Sequence, residues 1–188
     1  MTVSLIALAI VTTAASAARA QDRLDLSGIE INVHGGAVFL DALESNELYG
    51  GATALLHVGG GVALGGTVDW VGTTVEVGDD DFDATIWYYS GELSYGFPSV
   101  TRAQFYGSIG AGVERFQPGG DLEDTGAEDE TELMVPVGIG VRWVNDKADP
   151  DWGATFEARD RIVYRDEQDT KVSNDWSIAL GLSLLIGG

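Results

Sequence analysis

The sequence predicts an all-β protein, a single eight-stranded antiparallel up-and-down barrel. After Asp22 the chain divides into eight segments of about ten residues in which apolar and polar residues alternate, the period of a strand with two different faces. The first, third, fifth and seventh connections are longer and acidic, whereas the second, fourth and sixth are shorter and less charged. Because odd and even connections of an up-and-down sheet lie at opposite ends, we expect a closed molecule with two different ends.

Residues 1–20 are predicted to be a signal peptide. Residues 3–15 form an apolar stretch of the length of a signal h-region, and Ala18-Arg19-Ala20 gives a small-x-small pattern before cleavage at Gln21. A short membrane anchor is the alternative, but the stretch is too short to span about 30 Å of hydrocarbon comfortably. We therefore expect an exported chain with one β-barrel domain over residues 21–188.

Composition and net charge exclude some classes of function. The formal net charge is −20 and cysteine is absent, so the exported chain must be held together without disulfides. Nucleic acid is excluded as a partner, because phosphate binding requires clustered Lys and Arg. Two acidic blocks, residues 79–83 and 121–132, predict either divalent-cation binding at the loops or a solvated, repulsive rim, and we favour the rim.

In the first four segments, one face carries large apolar residues and the other small or polar ones. The apolar residues are Ile29, Ile31, Val33, Ala37 and Phe39, then Leu48, Ala52, Ala54, Leu56 and Val58, then Val62, Leu64, Val68 and Trp70, then Trp87, Tyr89, Leu93, Tyr95 and Phe97. Gly59-Gly60-Gly61 predicts a tight turn between the second and third strands. Pro98 ends the fourth strand, because proline cannot donate to the hydrogen-bond ladder.

The last four segments repeat this pattern. Their apolar residues are Ala103, Phe105, Ile109, Ala111 and Val113, then Leu133, Val135, Val137, Ile139, Val141 and Trp143, then Ala154, Phe156, Ala158, Ile162 and Tyr164, then Trp176, Ile178, Leu180, Leu182, Leu184 and Ile186. Pro136 predicts a bulge or an early bend in the sixth strand. Asp160 interrupts the apolar row of the seventh strand, which predicts a position near lipid headgroups or a bulge.

The opposite rows identify the inside of the barrel. They are rich in Gly, Ala, Ser and Thr with a few isolated charges, whereas a solvent-facing row would carry Lys, Glu, Thr and Gln. Small residues relieve crowding in a narrow eight-stranded barrel, so the sequence predicts a transmembrane β-barrel with its apolar rows in lipid. Aromatic residues near strand ends predict girdles at the membrane interface, with tryptophans Trp70, Trp87, Trp143, Trp152 and Trp176.

In strand count, alternation and loop asymmetry, the chain resembles the small eight-stranded outer-membrane barrels of the OmpA/OmpX type and the broad outer membrane protein β-barrel domain family. The resemblance covers nearly all of residues 28–187. It implies an integral, porin-like protein of a Gram-negative outer membrane, and we expect a monomer surrounded by outer-membrane lipid. The chain departs from the family at its C-terminus, where Leu184-Leu185-Ile186-Gly187-Gly188 replaces the usual final aromatic residue.

Charged residues with inward parity are the candidate functional residues. They are Glu92, Glu114, Glu157, Arg142, Arg159 and Arg161, with Glu30 and Asp69 nearby. Unpaired charges inside a narrow barrel are costly, so we expect Arg142, Arg159 and Arg161 to pair with carboxylates drawn from the three glutamates. The pairs form either a static plug or a gate that opens a narrow ion path, and we favour the plug because eight strands enclose little free space.

No catalytic residue, cofactor or metal site is expected. Both histidines, His34 and His57, point inward, and neither has the serine two positions later that lipid A-modifying barrels of this size use. The expected function is therefore a structural or surface-interaction role in the outer membrane, with a side-chain-filled lumen and acidic extracellular loops. The alternatives are a narrow pore gated by lumen Glu/Arg pairs and a soluble, lipocalin-like periplasmic barrel that binds a ligand.

Parity of the connections also predicts an orientation. Residues 79–83, 117–131 and 166–175 are expected outside the cell, and residues 59–61 and 97–101 in the periplasm.

Overall fold

A computed structural model describes residues 26–77, 80–99, 102–123, 126–145, 151–165 and 171–187. The predicted signal peptide lies outside these residues. Eight strands and one short helix follow one another along the chain: β1 (Ser27–Leu40), β2 (Ser45–Gly59), β3 (Val62–Val77), β4 (Asp80–Gly96), β5 (Ala103–Pro118), α1 (Gly120–Glu123), β6 (Glu130–Asn145), β7 (Asp151–Arg165) and β8 (Lys171–Ile186). Within the described residues, no helix is long and apolar enough to span a bilayer.

The strands form one closed antiparallel barrel. Each strand pairs with the next one along the chain, and β1 pairs with β8 from Ile29↔Ile186 to Phe39↔Trp176. Closure leaves no strand edge unpaired, which hydrogen-bonds the backbone without any solvent. The predicted fold class is confirmed.

Side chains alternate between an apolar exterior and a polar interior, because successive residues of a strand point to opposite faces. On β8, for example, Leu180 is 67 % exposed whereas Ala179 is 6 % exposed. The same alternation runs through all eight strands, and the outward rows are those predicted above. Together they form a continuous band of exposed large hydrophobic side chains around the barrel, the apolar belt.

Several strands continue beyond this belt, which corrects the predicted loops. β3 and β4 remain paired up to Val77↔Asp80, so the acidic segment 79–83 is strand from Asp80 onward. The first connection is reduced to residues 41–44. The sequence pattern did not predict these extensions, because their outward residues are Thr, Asp and Glu instead of apolar residues. The expected length difference between odd and even connections is therefore partly a difference in strand length.

The two ends of the barrel are distinct. The end that carries residues 41–44 and α1 is here called the loop end, and the end that carries the turn between β2 and β3 is the turn end. At the turn end, Gly59, Gly60 and Gly61 have φ values of 91°, 64° and 83°. Only glycine adopts such values at little cost, which explains the tight turn predicted there.

Pro136 does not produce the expected bulge. The register of β5 on β6 is the same on both sides of it, from Ile109↔Val137 to Gly112↔Met134. The prolyl ring points into the barrel and approaches Gly110, where an added Cβ would lie 3.1 Å from the proline Cγ. The missing N–H is therefore accommodated by an interruption in the ladder, and the small opposing residue makes room for the ring.

Inward glycines make room for the large side chains of the lumen. A Cβ on Gly140 would lie 2.6 Å from the phenol carbon Cζ of Tyr106, and a Cβ on Gly181 would lie 2.7 Å from the amide oxygen of Asn32. These contacts explain why small residues occupy the inward rows of a narrow barrel.

Candidate functional site

The barrel interior contains all six charged residues singled out from the sequence, together with Glu30 and Asp69. Most of them are almost completely buried, and Arg161 is 1 % exposed. All of them except Glu114 form three layers along the barrel axis, which are described below from the turn end to the loop end.

The layer nearest the turn end is built around Glu30 of β1. Its carboxylate accepts a hydrogen bond from Arg142 Nε at 3.1 Å and forms an ion pair with Arg142 Nη2 at 3.0 Å. His57 Nε2 lies 2.8 Å from the same carboxylate. The Arg142 guanidinium also donates to Gln104 and lies 4.9 Å from the ring centre of Tyr106. The layer therefore joins opposite walls of the barrel.

Arg159 of β7 organises the middle layer. Its Nη1 and Nη2 donate to the two carboxylate oxygens of Glu92 at 2.7 and 3.1 Å, and its Nε donates to Glu157 at 2.6 Å. Tyr106 donates its phenol to the second oxygen of Glu157 at 2.6 Å, and Ser90 donates to Glu92. A guanidinium that bridges two carboxylates in this way is rigidly fixed.

The third layer surrounds Arg161. Its Nη2 donates to Asp69, and its Nη1 donates to Ser177 at 2.8 Å. Tyr49 and Tyr88 place their rings 5.3 and 4.6 Å from the guanidinium carbon. The other oxygen of Asp69 lies 2.7 Å from Nε2 of His34.

The pairing expected from the sequence is only partly correct. Arg159 contacts two of the three expected glutamates, but Arg142 pairs with Glu30 and Arg161 pairs with Asp69. Glu114 lies further toward the loop end and pairs with Arg165 instead. The cause is geometric, because strand tilt determines which residues share a level in the lumen and parity alone does not encode it.

Apolar side chains close the lumen at both ends, which the sequence analysis missed. Nine buried residues cluster toward the loop end, with Leu43 and Phe116 packed against them: Val38, Leu40, Tyr49, Val71, Ile86, Tyr88, Met134, Val163 and Ala179. Leu26, Val144 and Leu185 cluster at the turn end. The available signal was the inward parity of aliphatic residues near the strand ends. Between the clusters lies a cavity of about 30 Å³, enough for one or two water molecules.

A fourth group of charges, here called the mouth cluster, lies beyond the third layer at the loop end. It consists of Glu114, Glu132, Arg165 and Asp175. Arg165 donates to Glu114 at 3.1 Å and to Glu132 at 2.6 Å. Glu114 follows Val113, the last apolar residue in the outward row of β5. Burial, together with the neighbouring carboxylate of Asp175, raises the pKa of Glu114 to about 8.

All five predicted interfacial tryptophans lie on the outer surface of the barrel, and each is at least partly exposed. Trp70 and Trp176 belong to the loop-end half of the belt, and Trp143 and Trp152 pack edge to face at the turn end with ring centres 5.3 Å apart. Trp87 stacks on Tyr89 with ring centres 6.1 Å apart. Asp160, the break in the apolar row of β7, faces outward opposite Trp176.

Chemically, the interior is suited to holding charge in fixed positions. Both histidines contact carboxylates, and His34 also contacts Asn32. Across the part of the chain that the structure describes, no three His, Cys, Asp or Glu side chains are arranged to hold a metal ion.

Comparison with solved structures identifies the fold. The chain has the fold of eight-stranded outer-membrane β-barrels. It superposes on the crystal structure of Neisserial surface protein A (NspA) with a TM-score of 0.68 and 12 % identity, covering 85 % of this chain and 98 % of that one. The N-terminal β-barrel domain of Pseudomonas aeruginosa OprF gives a TM-score of 0.53 at 12 % identity, with the same coverage. No protein-family model and no curated protein sequence matches the chain. The resemblance inferred from the sequence is confirmed at the level of fold.

Proposed function

We propose that this protein is an integral outer-membrane β-barrel with a structural or surface-interaction role, a filled lumen and acidic loops exposed at the cell surface. The apolar belt is the observation that carries the proposal. Its large side chains include Leu133, Ile139 and Leu182, each 67–68 % exposed. In water such a surface would cost about 25 cal/mol per Å² of apolar area, whereas lipid removes that cost.

The distribution of polarity argues against a soluble ligand-binding barrel. A lipocalin-like protein keeps apolar residues inside around a ligand cavity and presents polar residues to water. Here Arg142, Arg159, Arg161 and their carboxylate partners lie inside, and the cavity between the apolar clusters has room for only one or two water molecules.

A narrow pore is the second candidate, because ionisable residues line the interior. Two features favour a plug. The guanidinium groups of Arg142, Arg159 and Arg161 each bind carboxylates across the lumen, and apolar clusters close the lumen above and below them. An ion would therefore have to break ion pairs and cross two dry layers.

The other predictions made from the sequence form part of this proposal. The protein is a monomer surrounded by outer-membrane lipid, it binds no nucleic acid, and it is not an enzyme. Divalent cations at the acidic loops would bridge the rim to anionic headgroups. The loop end faces the outside of the cell, with the turn end in the periplasm.

Envelope fractionation combined with cysteine labelling tests location and orientation together. The natural chain has no cysteine, so a single one is a specific reporter. Glu128→Cys places it in the fifth connection at the loop end, and Pro98→Cys is the matched control in the fourth connection at the turn end; both native residues are exposed. A membrane-impermeant maleimide added to intact cells should label the Glu128→Cys variant. It should label the Pro98→Cys variant only after the cells are lysed.

Both variants should remain with outer membranes after salt washing and dissolve only in detergent. Recovery in the soluble periplasmic fraction would refute the membrane assignment. Labelling of position 98 but not 128 on intact cells would leave the barrel in the membrane and reverse its orientation.

A further inference from the structure

Asp160 places a carboxylate on the lipid-facing surface of the barrel, a position that neither the apolar belt nor the charged lumen explains. In the outward row of β7 it lies between Ala158 and Ile162. The register of β7 is unbroken on both sides, with Asp160 opposite Val137 of β6 and Trp176 of β8. The bulge considered from the sequence therefore does not occur at this residue, and the carboxylate faces outward.

The charge of Asp160 is not compensated on its own face of the barrel. Its Oδ1 atom is buried against the wall and has no hydrogen-bond partner among the described residues. Arg161, the next residue along the chain, points into the lumen and donates to Asp69 and Ser177. Asp160 as a whole is partly exposed, so a donor or a cation can approach its carboxylate from the membrane side.

Trp176 forms the other half of the candidate site. It lies directly opposite Asp160 across β7 and β8, where paired side chains have Cβ atoms about 4.5–5.5 Å apart. Its side chain is 54 % exposed. A carboxylate beside an exposed indole attracts an ammonium group in two ways, by a charge-assisted hydrogen bond at the oxygen and by cation–π attraction at the ring.

The pair lies at the border of the apolar belt. On β1, Phe39 pairs with Trp176, and the exposed Asp41 follows two positions later. On β8, the next outward residue toward the loop end is Asn174, whereas the outward row toward the turn end is apolar from Ile178 onward. Polar residues therefore first enter the outward rows of β1 and β8 next to this pair, at the level where aromatic side chains meet lipid headgroups.

We propose that Asp160 and Trp176 bind the primary ammonium group of a lipid headgroup in the leaflet at the loop end. The carboxylate accepts an N–H of the ammonium, and the face of the indole covers another side of the same cation. The acyl chains of the lipid then follow the apolar belt along β7 and β8. This inference rests on the proposed membrane location and deepens it, because it names a class of lipid that the belt prefers.

Other ligands fit the pair less well. A divalent cation requires about six to eight oxygen ligands, which one carboxylate and one indole do not supply. A phosphate group is repelled by the carboxylate. A quaternary ammonium contacts the ring but has no N–H to donate to the carboxylate. The chemistry of the pair therefore favours a primary amine.

Native mass spectrometry of the barrel released from detergent micelles tests this preference. The probes are phosphatidylethanolamine, phosphatidylcholine and phosphatidylglycerol with identical acyl chains. The wild-type barrel should bind phosphatidylethanolamine about tenfold more tightly than phosphatidylcholine, the factor expected for a hydrogen bond to a charged group. Phosphatidylglycerol should bind no better than phosphatidylcholine, because its headgroup carries no cation.

Three variants locate the preference on the barrel. Asp160→Asn keeps the shape of the side chain and removes its charge, so it should abolish the preference. Trp176→Leu should reduce the preference about threefold, the factor expected for an exposed cation–π contact. Asp81→Asn is the matched control, because Asp81 faces outward on β4 beyond the belt, opposite Glu76 instead of a tryptophan. It should leave the preference unchanged.

Equal binding of phosphatidylethanolamine and phosphatidylcholine by the wild type would overturn the site, as would a preference that Asp160→Asn retains. If a gel shift shows that Asp160→Asn does not fold, an unchanged preference in Trp176→Leu overturns it instead. Dimers that disappear with Asp160→Asn would also overturn it, because the carboxylate would then contact a second copy. Failure of the membrane location itself would look different: the barrel would need no detergent and would carry none of the three lipids.

Discussion

At the scale of single residues, Arg142 shows what holds the interior together. Its guanidinium faces the carboxylate of Glu30, and the side chain of Glu30 is only 1 % exposed. His57 shares that carboxylate. A charge buried this deeply is tolerated only while it is paired, so removal of one partner should cost more than the net value of the pair.

We expect Arg142→Ala to lower the free energy of unfolding by about 3–5 kcal/mol, because it leaves the Glu30 carboxylate without a guanidinium. Urea unfolding of the barrel refolded into lipid vesicles measures the loss. Addition of Glu30→Gln should recover much of it, whereas addition of Glu114→Gln should give a sum of independent effects within about 0.5 kcal/mol.

Arg115→Ala is the matched control for this experiment. Arg115 pairs with Asp129 at 2.7 Å, but both side chains are 45 % exposed, so the urea midpoint should not move. Coupling of Arg142 to Glu114 instead of Glu30 would contradict the layer arrangement.

The sequence predicted which charged side chains face the interior, but it did not predict which of them pair with one another. Parity placed Arg142, Arg159 and Arg161 inside correctly, because the two-residue period is fixed by the backbone. It did not identify Glu30 and Asp69 as the partners of Arg142 and Arg161, since those contacts cross the lumen between strands distant along the chain.

At the scale of strands, the apolar belt limits what the sequence pattern reveals. Within the belt, large apolar and small polar residues alternate sharply, and every strand was predicted. Beyond it both faces can meet water, so the alternation fades and the paired residues Glu76 and Asp81 read as a loop. The strand ends above the belt therefore cannot be recognised in the sequence, because the contrast between apolar and polar faces that marks the belt is lost there.

We expect a charge in the middle of the belt to be much more costly than the same charge above it. Leu180→Arg places a guanidinium at a lipid-facing position of β8 and should destabilise the barrel by about 2–4 kcal/mol in lipid vesicles. Thr74→Arg is the control: it faces outward on β3 beyond Trp70 and should cost about 0–1 kcal/mol. Equal effects of both substitutions would indicate that the belt does not lie in lipid.

At the scale of the whole molecule, the barrel is a polar core wrapped in an apolar exterior and closed at both ends. The ion pairs fill the narrow lumen, but they are not its only barrier. The apolar cluster formed by residues such as Val38, Val71 and Val163 adds a dry layer toward the loop end. Hydrophobic constrictions of this kind block ions by excluding water, so the lumen has two barriers of different physical origin in series.

Barriers in series give a specific expectation for ion conductance in planar bilayers. The wild-type barrel should show no conductance steps, and neither should Arg161→Ala, because the apolar cluster beyond it still excludes water. Val38→Ser/Val163→Ser should also remain silent, because the guanidinium of Arg161 still fills the layer below. The triple variant should remain silent as well, because the two other charged layers and the apolar cluster at the turn end still fill the lumen. A gel-shift assay shows whether each variant is folded. Discrete steps from Arg161→Ala alone, at wild-type stability, would mean that the charged layers are themselves the gate and that the protein is a narrow pore.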